Sequence, residues 1–238
     1  MVPLIGMTCL IAVLASPFFI VRWINKRREE EMANFCRRLM EEPPTLEDEG
    51  EAEMPTELAF HASRSPAECP DLSVLCGLNP RLPLSGRGVN VIEGTYRGRR
   101  VVTCDVRLLF TAERCFCIHP LGADFPEMKV FRRIRLLRAG RDVDPFSLGM
   151  PDFCEAFRIE CDFPAFVREF FHPEMMKLLL QRKPRGYLVL TLADGCLVQT
   201  NVERWGPRQF QDAMDFAVEF QRLIPKALLD RYSEARRR

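Results

Sequence analysis

Several patterns that would place the chain in a common functional class are missing from it. None of its ten cysteines lies in a CxxC pair, and they are spread through helix- and strand-like sequence rather than a short secreted scaffold, so we expect reduced, mostly buried thiols. No GKS, GKT or GxSxG sequence occurs, which argues against a Walker phosphate loop and a nucleophile elbow. The net charge of +1 lacks the basic excess typical of nucleic-acid-binding proteins.

The glycines of the segment GRGVNVIEGTYRG do not form a dinucleotide-binding loop. Gly86 and Gly88 supply the first two glycines of a GxGxxG pattern, but Val91 stands at the third position, and strand-like rather than helix-like sequence follows. Gly94 and Gly98 lie near a predicted hairpin turn, where the backbone needs angles that glycine adopts freely. We therefore predict a β-hairpin here and no phosphate site.

The chain begins with an uncharged stretch from Val2 to Val21, and no lysine or arginine precedes it. About 20 apolar residues suffice for a helix to cross a bilayer. Four basic residues follow closely: Arg22, Lys26, Arg27 and Arg28. By the positive-inside rule, this predicts a single-pass anchor at residues 2–21 in the inner (cell) membrane, with the N-terminus outside and the soluble domain cytoplasmic. A cleaved signal peptide and a buried helix are the alternatives.

Composition divides the remaining chain into four parts. Residues 22–40 are typical of a charged juxtamembrane helix. Residues 41–81 are predicted to be a linker, because the stretch EEPPTLEDEGEAEMPTE holds eight acidic residues, three prolines and no basic residue, and such sequence stays solvated. A soluble domain is expected at residues 82–225, followed by a basic tail at residues 226–238.

The predicted soluble domain has an α+β pattern. Asn90–Gly94 and Arg99–Val106 form the hairpin, and strands and helices alternate over the C-terminal region. The proline in His172-Pro173 is expected to divide the helix at Pro164–Arg182 into two pieces. A last helix at residues 207–223 carries an apolar stripe typical of a core: Phe210, Met214, Ala217, Val218 and Ile224. We expect a mainly antiparallel sheet packed by C-terminal helices.

The pattern nearest to a metal site is Cys115-x-Cys117-x-His119, because its three side chains share one face of a strand. Each two-residue step covers about 6.6 Å along a straight strand, which is too far for tetrahedral zinc with bonds of about 2.3 Å. We therefore expect buried thiols and a surface histidine. The acids Glu160 and Asp162 are expected to serve in a turn and a helix cap. No metal, cofactor or catalytic residue is predicted.

The strongest functional signal is basic. Arginines near the hairpin turn and in a later strand-like segment are predicted to contact an anionic partner if they share a face: Arg97, Arg99, Arg100, Arg132, Arg133 and Arg135. The expected partner is an acidic protein or anionic lipid headgroups. The chain's own acidic stretch and a solvated face without a partner are the alternatives. Nucleic acid is not expected, because the aromatic residues lie among apolar ones without a stacking motif.

The segment GRGVNVIEGTYRGRRVV, with the N-terminal span and its basic flank, resembles a family of bacterial single-pass membrane-anchored proteins that have a glycine-rich NVxxGxxxGxxV-like hairpin. The resemblance implies an anchor, a hairpin and a C-terminal strand–helix–strand–strand–helix region, but no activity and no catalytic residue. The chain departs from this family at Cys104-Asp105 and Leu108–Phe110, where more aromatic residues are expected, and in its number of cysteines.

Together, these features predict a membrane-anchored, cytoplasm-facing binding or scaffold module that contacts the bilayer through residues 2–21. The alternative is a membrane-tethered enzyme, such as a hydrolase, without a recognisable catalytic motif. A concave pocket with converging polar groups would favour the enzyme, and a flat basic face would favour the binding module.

Overall fold

Prolines begin most of the helices, because a first-turn residue has no intrahelical acceptor for its N–H. A computed structural model of the chain describes residues 3–41, 55–78, 88–107, 113–132, 146, 148–181, 188–201 and 205–235. Its helices are α1 (Pro3–Glu41), α2 (Val74–Leu78), α3 (Pro151–Ala156), α4 (Pro164–Phe170), α5 (Pro173–Gln181), α6 (Pro207–Leu223) and α7 (Lys226–Ala235). A short 3-10 helix, Pro70–Ser73, leads directly into α2.

The strands of the described residues form one antiparallel sheet of eight. They are β1 (Glu57–Arg64), β2 (Gly88–Tyr96), β3 (Arg99–Arg107), β4 (Glu113–Pro120), β5 (Met128–Arg132), β6 (Phe157–Glu160), β7 (Leu188–Ala193) and β8 (Cys196–Asn201). Their order across the sheet is β1-β2-β3-β4-β8-β7-β5-β6. The β7–β8 hairpin therefore lies between β4 and β5, which are consecutive in sequence.

The β2–β3 hairpin confirms the prediction from the glycine pattern. Tyr96 pairs with Arg99, which leaves Arg97 and Gly98 as a two-residue turn with φ angles of 48° and 71°. Two consecutive positive φ angles suit the right-handed twist of the paired strands. Near the start of β2, the register of its pairing with β3 shifts by one residue. Asn90, with a φ of 51°, lies in this bulge.

Helices cover one face of the sheet along its whole width. α1 and the first half of α6 lie over β1–β4, in a cluster that includes Met32, Phe35, Leu39, Ile92, Tyr96, Phe210 and Met214. The second half of α6 packs with α4, α5 and α7 over the β5 and β7 side through residues such as Phe170, Phe216 and Phe220. The opposite face is covered at β2–β4 by Leu72 and Leu75 of the 3-10 helix and α2.

The α+β class and the mainly antiparallel sheet are confirmed. α6 has the predicted bounds, and the helix predicted at Pro164–Arg182 is divided at His172-Pro173 into α4 and α5. The predicted apolar stripe of the last helix is buried at every position: Phe210, Met214, Ala217, Val218 and Ile224.

The predicted transmembrane anchor is wrong. Residues 3–41 form one continuous helix, α1. No helix within the described residues is long and apolar enough to cross a membrane. From residue 22 onward, α1 has many charged, exposed side chains, and its apolar residues Met32, Phe35 and Leu39 pack on the sheet. The single-pass topology and the inner-membrane, cytoplasm-facing location rested on that anchor and are corrected with it.

Regular structure also occurs in two segments where none was expected. β1 and α2 lie within residues 41–81. β1 is an edge strand with one buried residue, Leu58, so its sequence shows little of the apolar alternation that predicts a strand. α7 lies within the predicted tail and packs Leu228 and Tyr232 against the core. The N-cap position of α4 is occupied by Phe163 rather than the predicted Asp162, and no side chain makes a capping hydrogen bond there.

Candidate binding surface at the β2–β3 turn

The β2–β3 turn is held in place by the residues that precede β1. The N–H of Gly98 donates to the carbonyl oxygen of Pro55 at 3.0 Å, and the N–H of Arg97 donates to Oγ1 of Thr56 at 3.2 Å. Gly94 permits the close approach of β1 and β2 behind this turn, because a Cβ there would overlap the backbone of Glu57. The turn backbone is therefore fixed relative to the edge of the sheet.

Arg97 is occupied by contacts within the chain. Its Nη1 atom lies 3.2 Å from Oδ1 of Asp215 on α6, and its guanidinium lies over the ring of Tyr96 at 5.4 Å from the centroid. The Tyr96 hydroxyl donates to the same Asp215 oxygen at 2.8 Å. Burial, together with the negative charge of Asp215, raises the pKa of Tyr96, so this hydroxyl stays protonated as a donor. These contacts fasten the turn to α6.

Arg100 is also paired, on the opposite face of the sheet. Its Nε donates to Oδ2 of Asp71 in the 3-10 helix at 2.7 Å. This hydrogen bond raises the pKa of the Arg100 guanidinium, while partial burial opposes the shift. Because successive side chains of a strand alternate between faces, Arg99 and Arg100 lie on opposite sides.

Arg99 is the arginine of this turn that remains available for an outside partner. Its side chain is exposed, and it makes no ion pair with any residue in the described ranges. Strand pairing with Tyr96 places it beside the buried ring that supports the turn. The three turn arginines are thus close in sequence and space, but they differ in what they can bind.

The structure does not bring Arg132 to this turn. Strand pairing places Val102 of β3, Val198 of β8 and Lys129 of β5 in one row across the sheet. Arg99 lies three residues before this row on β3, and Arg132 lies three residues after it on β5, which runs in the same direction. With four strand spacings between β3 and β5, the two residues are on the order of 25 Å apart. Arg133 and Arg135 lie outside the described residues.

The Cys115-x-Cys117-x-His119 row lies beneath the helices and is unsuited to nucleophilic chemistry. Burial raises the pKa of both thiols, so little thiolate forms near neutral pH. His119 is 1% exposed rather than on the surface as predicted, and its Nε2 donates to Oε1 of Gln221 at 2.8 Å. Across the part of the chain that the structure describes, no group of three His, Cys, Asp or Glu side chains is placed to hold a metal.

A buried charged cluster where α1 crosses the sheet was missed by sequence reasoning. Asp105 is fully buried, and its carboxylate accepts hydrogen bonds from Nε and Nη2 of Arg28 at 3.3 Å, from Nδ2 of Asn90 at 2.8 Å and from Sγ of Cys115 at 3.0 Å. Arg28 and Asp105 are 77 residues apart, so no local pattern joins them. The available signal was the position of Arg28 at the start of the apolar stripe of α1.

Comparison with known proteins gives a likeness of fold. No family model matches the chain, and no curated protein matches it. Among solved structures, the crystal structure of the mycobacterial trehalose monomycolate transport factor A, TtfA, is similar with a TM-score of 0.52 and 10% sequence identity. The similarity covers 83% of this chain and 96% of that chain, and at this identity it concerns the fold alone.

Proposed function

We propose that the chain is a non-enzymatic binding module that contacts an acidic protein segment through Arg99 on the β2–β3 turn. The observation that carries this proposal is the exposed guanidinium of Arg99, which has no ion pair among the described residues and lies on a turn whose other arginines, Arg97 and Arg100, are held by internal ion pairs. A side chain presented by a fixed backbone loses less conformational freedom on binding than one on a mobile loop.

The chemistry of Arg99 favours a carboxylate partner. A guanidinium presents a planar fork of donors that matches a carboxylate in two parallel hydrogen bonds. The positive charge of Arg97 and Arg100 is largely matched by Asp215 and Asp71, so the turn does not offer the broad basic field that a lipid surface requires. A single acidic side chain or short acidic segment therefore fits better than anionic headgroups.

A binding role is also supported by the state of the reactive side chains. The thiols of Cys115 and Cys117 have raised pKa values because they are buried. His61 contacts Glu93 at 2.9 Å, and His172 contacts Glu174 and the carbonyl oxygen of Leu223 at 2.8 and 2.7 Å. These contacts hold the histidines in structural roles. The likeness in fold to a protein named as a transport factor agrees with a module that binds rather than catalyses.

The test is binding of a fluorescent peptide rich in glutamate and aspartate to the full chain and to Arg99→Glu. Losing a charge-assisted hydrogen bond costs about 1.5–3 kcal/mol, so affinity should fall roughly 10- to 150-fold. Arg168→Glu is the matched control, because Arg168 is an exposed arginine on α4, which packs over the β5 and β7 side of the sheet, away from the β2–β3 turn. It should bind the peptide like the unmodified chain.

The same variants are then measured with vesicles containing phosphatidylserine. We expect the peptide, and not the vesicles, to distinguish Arg99→Glu from Arg168→Glu. If only vesicle binding depends on Arg99, the partner is a lipid surface and the proposed protein partner is wrong. If both variants keep the affinity of the unmodified chain for both probes, the turn is not a binding surface.

A further inference from the structure

The β7–β8 hairpin turns in the same way as the β2–β3 hairpin. Ala193 pairs with Cys196, which leaves Asp194 and Gly195 as a two-residue turn with φ angles of 49° and 69°. Two consecutive positive φ angles again suit the twist of the paired strands. The N–H of Leu121, just after β4, donates to the carbonyl oxygen of Gly195 at 2.8 Å, so the backbone of this turn is also fixed to the sheet.

Both turns lie at the same end of the sheet. β3 and β8 begin at this end and β4 finishes there, because each strand is antiparallel to its neighbour. Continued to this end, the register of the pairings places Arg99, Leu121 and Gly195 in one row across β3, β4 and β8. Arg99 and Asp194 are therefore separated by two to three strand spacings, on the order of 10–14 Å.

The two turns present charges of opposite sign. Asp194 is exposed and, like Arg99, makes no ion pair with a residue in the part of the chain that the structure describes. The neighbouring acid Glu127 contacts Lys129 at 2.8 Å, so its charge is largely matched. The connection that leads from β4 to β5 carries a further exposed acid, Asp124. This end of the sheet is therefore positive at β3 and negative at the β7–β8 turn.

The structure leaves space between the two turns. The side chain of Leu121 is buried in the core, and Gly122 follows it on the surface. A Cβ built on Gly122 would meet no atom of the described residues within 4 Å. A segment of a partner can therefore lie against this backbone and contact both charged turn residues at once.

We propose that the acidic segment bound by Arg99 also carries a basic residue, which Asp194 contacts; this inference rests on the proposed function. An extended segment rises about 3.3 Å per residue, and residues an even number apart share a face, so a span on the order of 10–14 Å corresponds to four positions. The partner is thus an extended protein segment with an acidic and a basic residue four positions apart. Asp194 repels a purely acidic segment and so contributes to specificity.

Two fluorescent peptides of equal composition test the spacing on the full chain. One has three glutamates, a glycine and three lysines, so that the centres of its charged blocks lie four positions apart; in the other, glutamates and lysines alternate around the glycine. An exposed ion pair changes affinity by a small factor, so the block peptide should bind roughly 2- to 5-fold more tightly. Equal affinities would overturn the proposal.

Asp194→Asn tests the residue itself, since asparagine tolerates the positive φ that aspartate adopts here. It should weaken binding of the block peptide roughly 2- to 5-fold and strengthen binding of a peptide with six glutamates around the glycine. A damaged fold would weaken both. Changes in the same direction, or no change, would contradict the proposal. Asp152→Asn is the matched control, because Asp152 is an exposed acid on α3, which leads into β6 at the opposite end of the sheet; it should change neither affinity.

The glutamate peptide with Arg99→Glu separates this inference from the proposed function. If Arg99→Glu weakens its binding but Asp194→Asn affects neither peptide, the contact of Arg99 stands and the basic residue of the partner is wrong. If Arg99→Glu leaves its binding unchanged, the proposed function fails and this inference with it.

The backbone amides of the two turn glycines give the position of the bound peptide. In a ¹H–¹⁵N spectrum of the full chain, the block peptide should shift the signals of both Gly98 and Gly195, because it spans both turns. A shift of the Gly98 signal without one at Gly195 would show that the peptide does not reach the β7–β8 turn, and the proposal would be wrong.

Discussion

His119 is a buried side chain whose lowered pKa makes the free energy of unfolding depend on pH. It lies on β4, bonded to Gln221 of α6, and the positive charge of Arg99 on β3 acts on its ring. Desolvation lowers the pKa of His119 from its ordinary value of 6.5, the bond to Gln221 opposes this, and Arg99 lowers it further. The folded protein therefore binds a proton at His119 only at lower pH than the unfolded chain does.

We expect the free energy of unfolding to decrease as the pH falls below about 6.5, because the unfolded chain then binds a proton at His119 that the folded state excludes. Above that pH the His119 ring is neutral in both the folded and the unfolded chain, so the stability that this ring contributes is no longer reduced by proton binding. The slope due to one histidine is at most about 1.4 kcal/mol per pH unit. Urea unfolding should show this part of the slope lost in His119→Gln and kept in His61→Gln. Identical slopes for His119→Gln and the unmodified chain would contradict the prediction.

At the scale of the element, the β1–β2 pair depends on Gly94. This residue pairs with Leu58 and has a φ of 147°, and a Cβ there would overlap backbone atoms of Glu57 that cannot move without disturbing the ladder. We expect Gly94→Ala to cost about 2–4 kcal/mol in urea unfolding, from strained backbone and overlap together. Gly122→Ala is the control, since Gly122 also has a positive φ but open space around it. Similar losses in both variants would show that the overlap is unimportant.

Elements with strong local signals could be predicted from sequence, and elements defined by distant contacts could not. Prolines at helix starts and a five-residue apolar stripe identified α6, whereas β1 has one buried residue and lacks a readable pattern. The anchor prediction used the composition of residues 2–21 and their basic flank, and sequence composition carries no information on how the later part of the same helix packs on a sheet. Tertiary contacts decided that case.

At the scale of the whole molecule, strand order explains which part of the candidate site was predictable. Arg97, Arg99 and Arg100 lie together because a two-residue turn joins neighbouring strands, which is a local fact. Arg132 lies far away because β7 and β8, from much later in the sequence, separate β4 from β5. Nothing between residues 97 and 132 encodes that insertion. The pairing of Arg28 with Asp105 was hidden because the two residues are 77 positions apart and no local pattern joins them.

The insertion of β7 and β8 also joins two halves of the sheet, one formed by β1–β4 and the other by β5–β8. β4 pairs with β8, and α6 contributes to the cores of both halves. Phe170→Ala removes a fully buried ring that contacts Phe125, Phe166, Phe171 and Phe220, and should cost about 3–5 kcal/mol. The cost should appear at the other half as well: in a Trp23→Phe background, where Trp205 is the only tryptophan, urea midpoints from its fluorescence and from far-ultraviolet circular dichroism should decrease together.

Phe163→Ala provides the reference for this measurement, because its ring is 57% exposed and its loss should change stability by no more than about 0.5 kcal/mol. Trp205 lies in the cluster beneath α1, away from the rings around Phe170, so its fluorescence follows the distant half. If Phe170→Ala lowers the dichroism midpoint while the Trp205 midpoint stays unchanged, the halves unfold separately. In that case the shared helix α6 and the β4–β8 pairing are too weak to couple them, despite the continuous sheet.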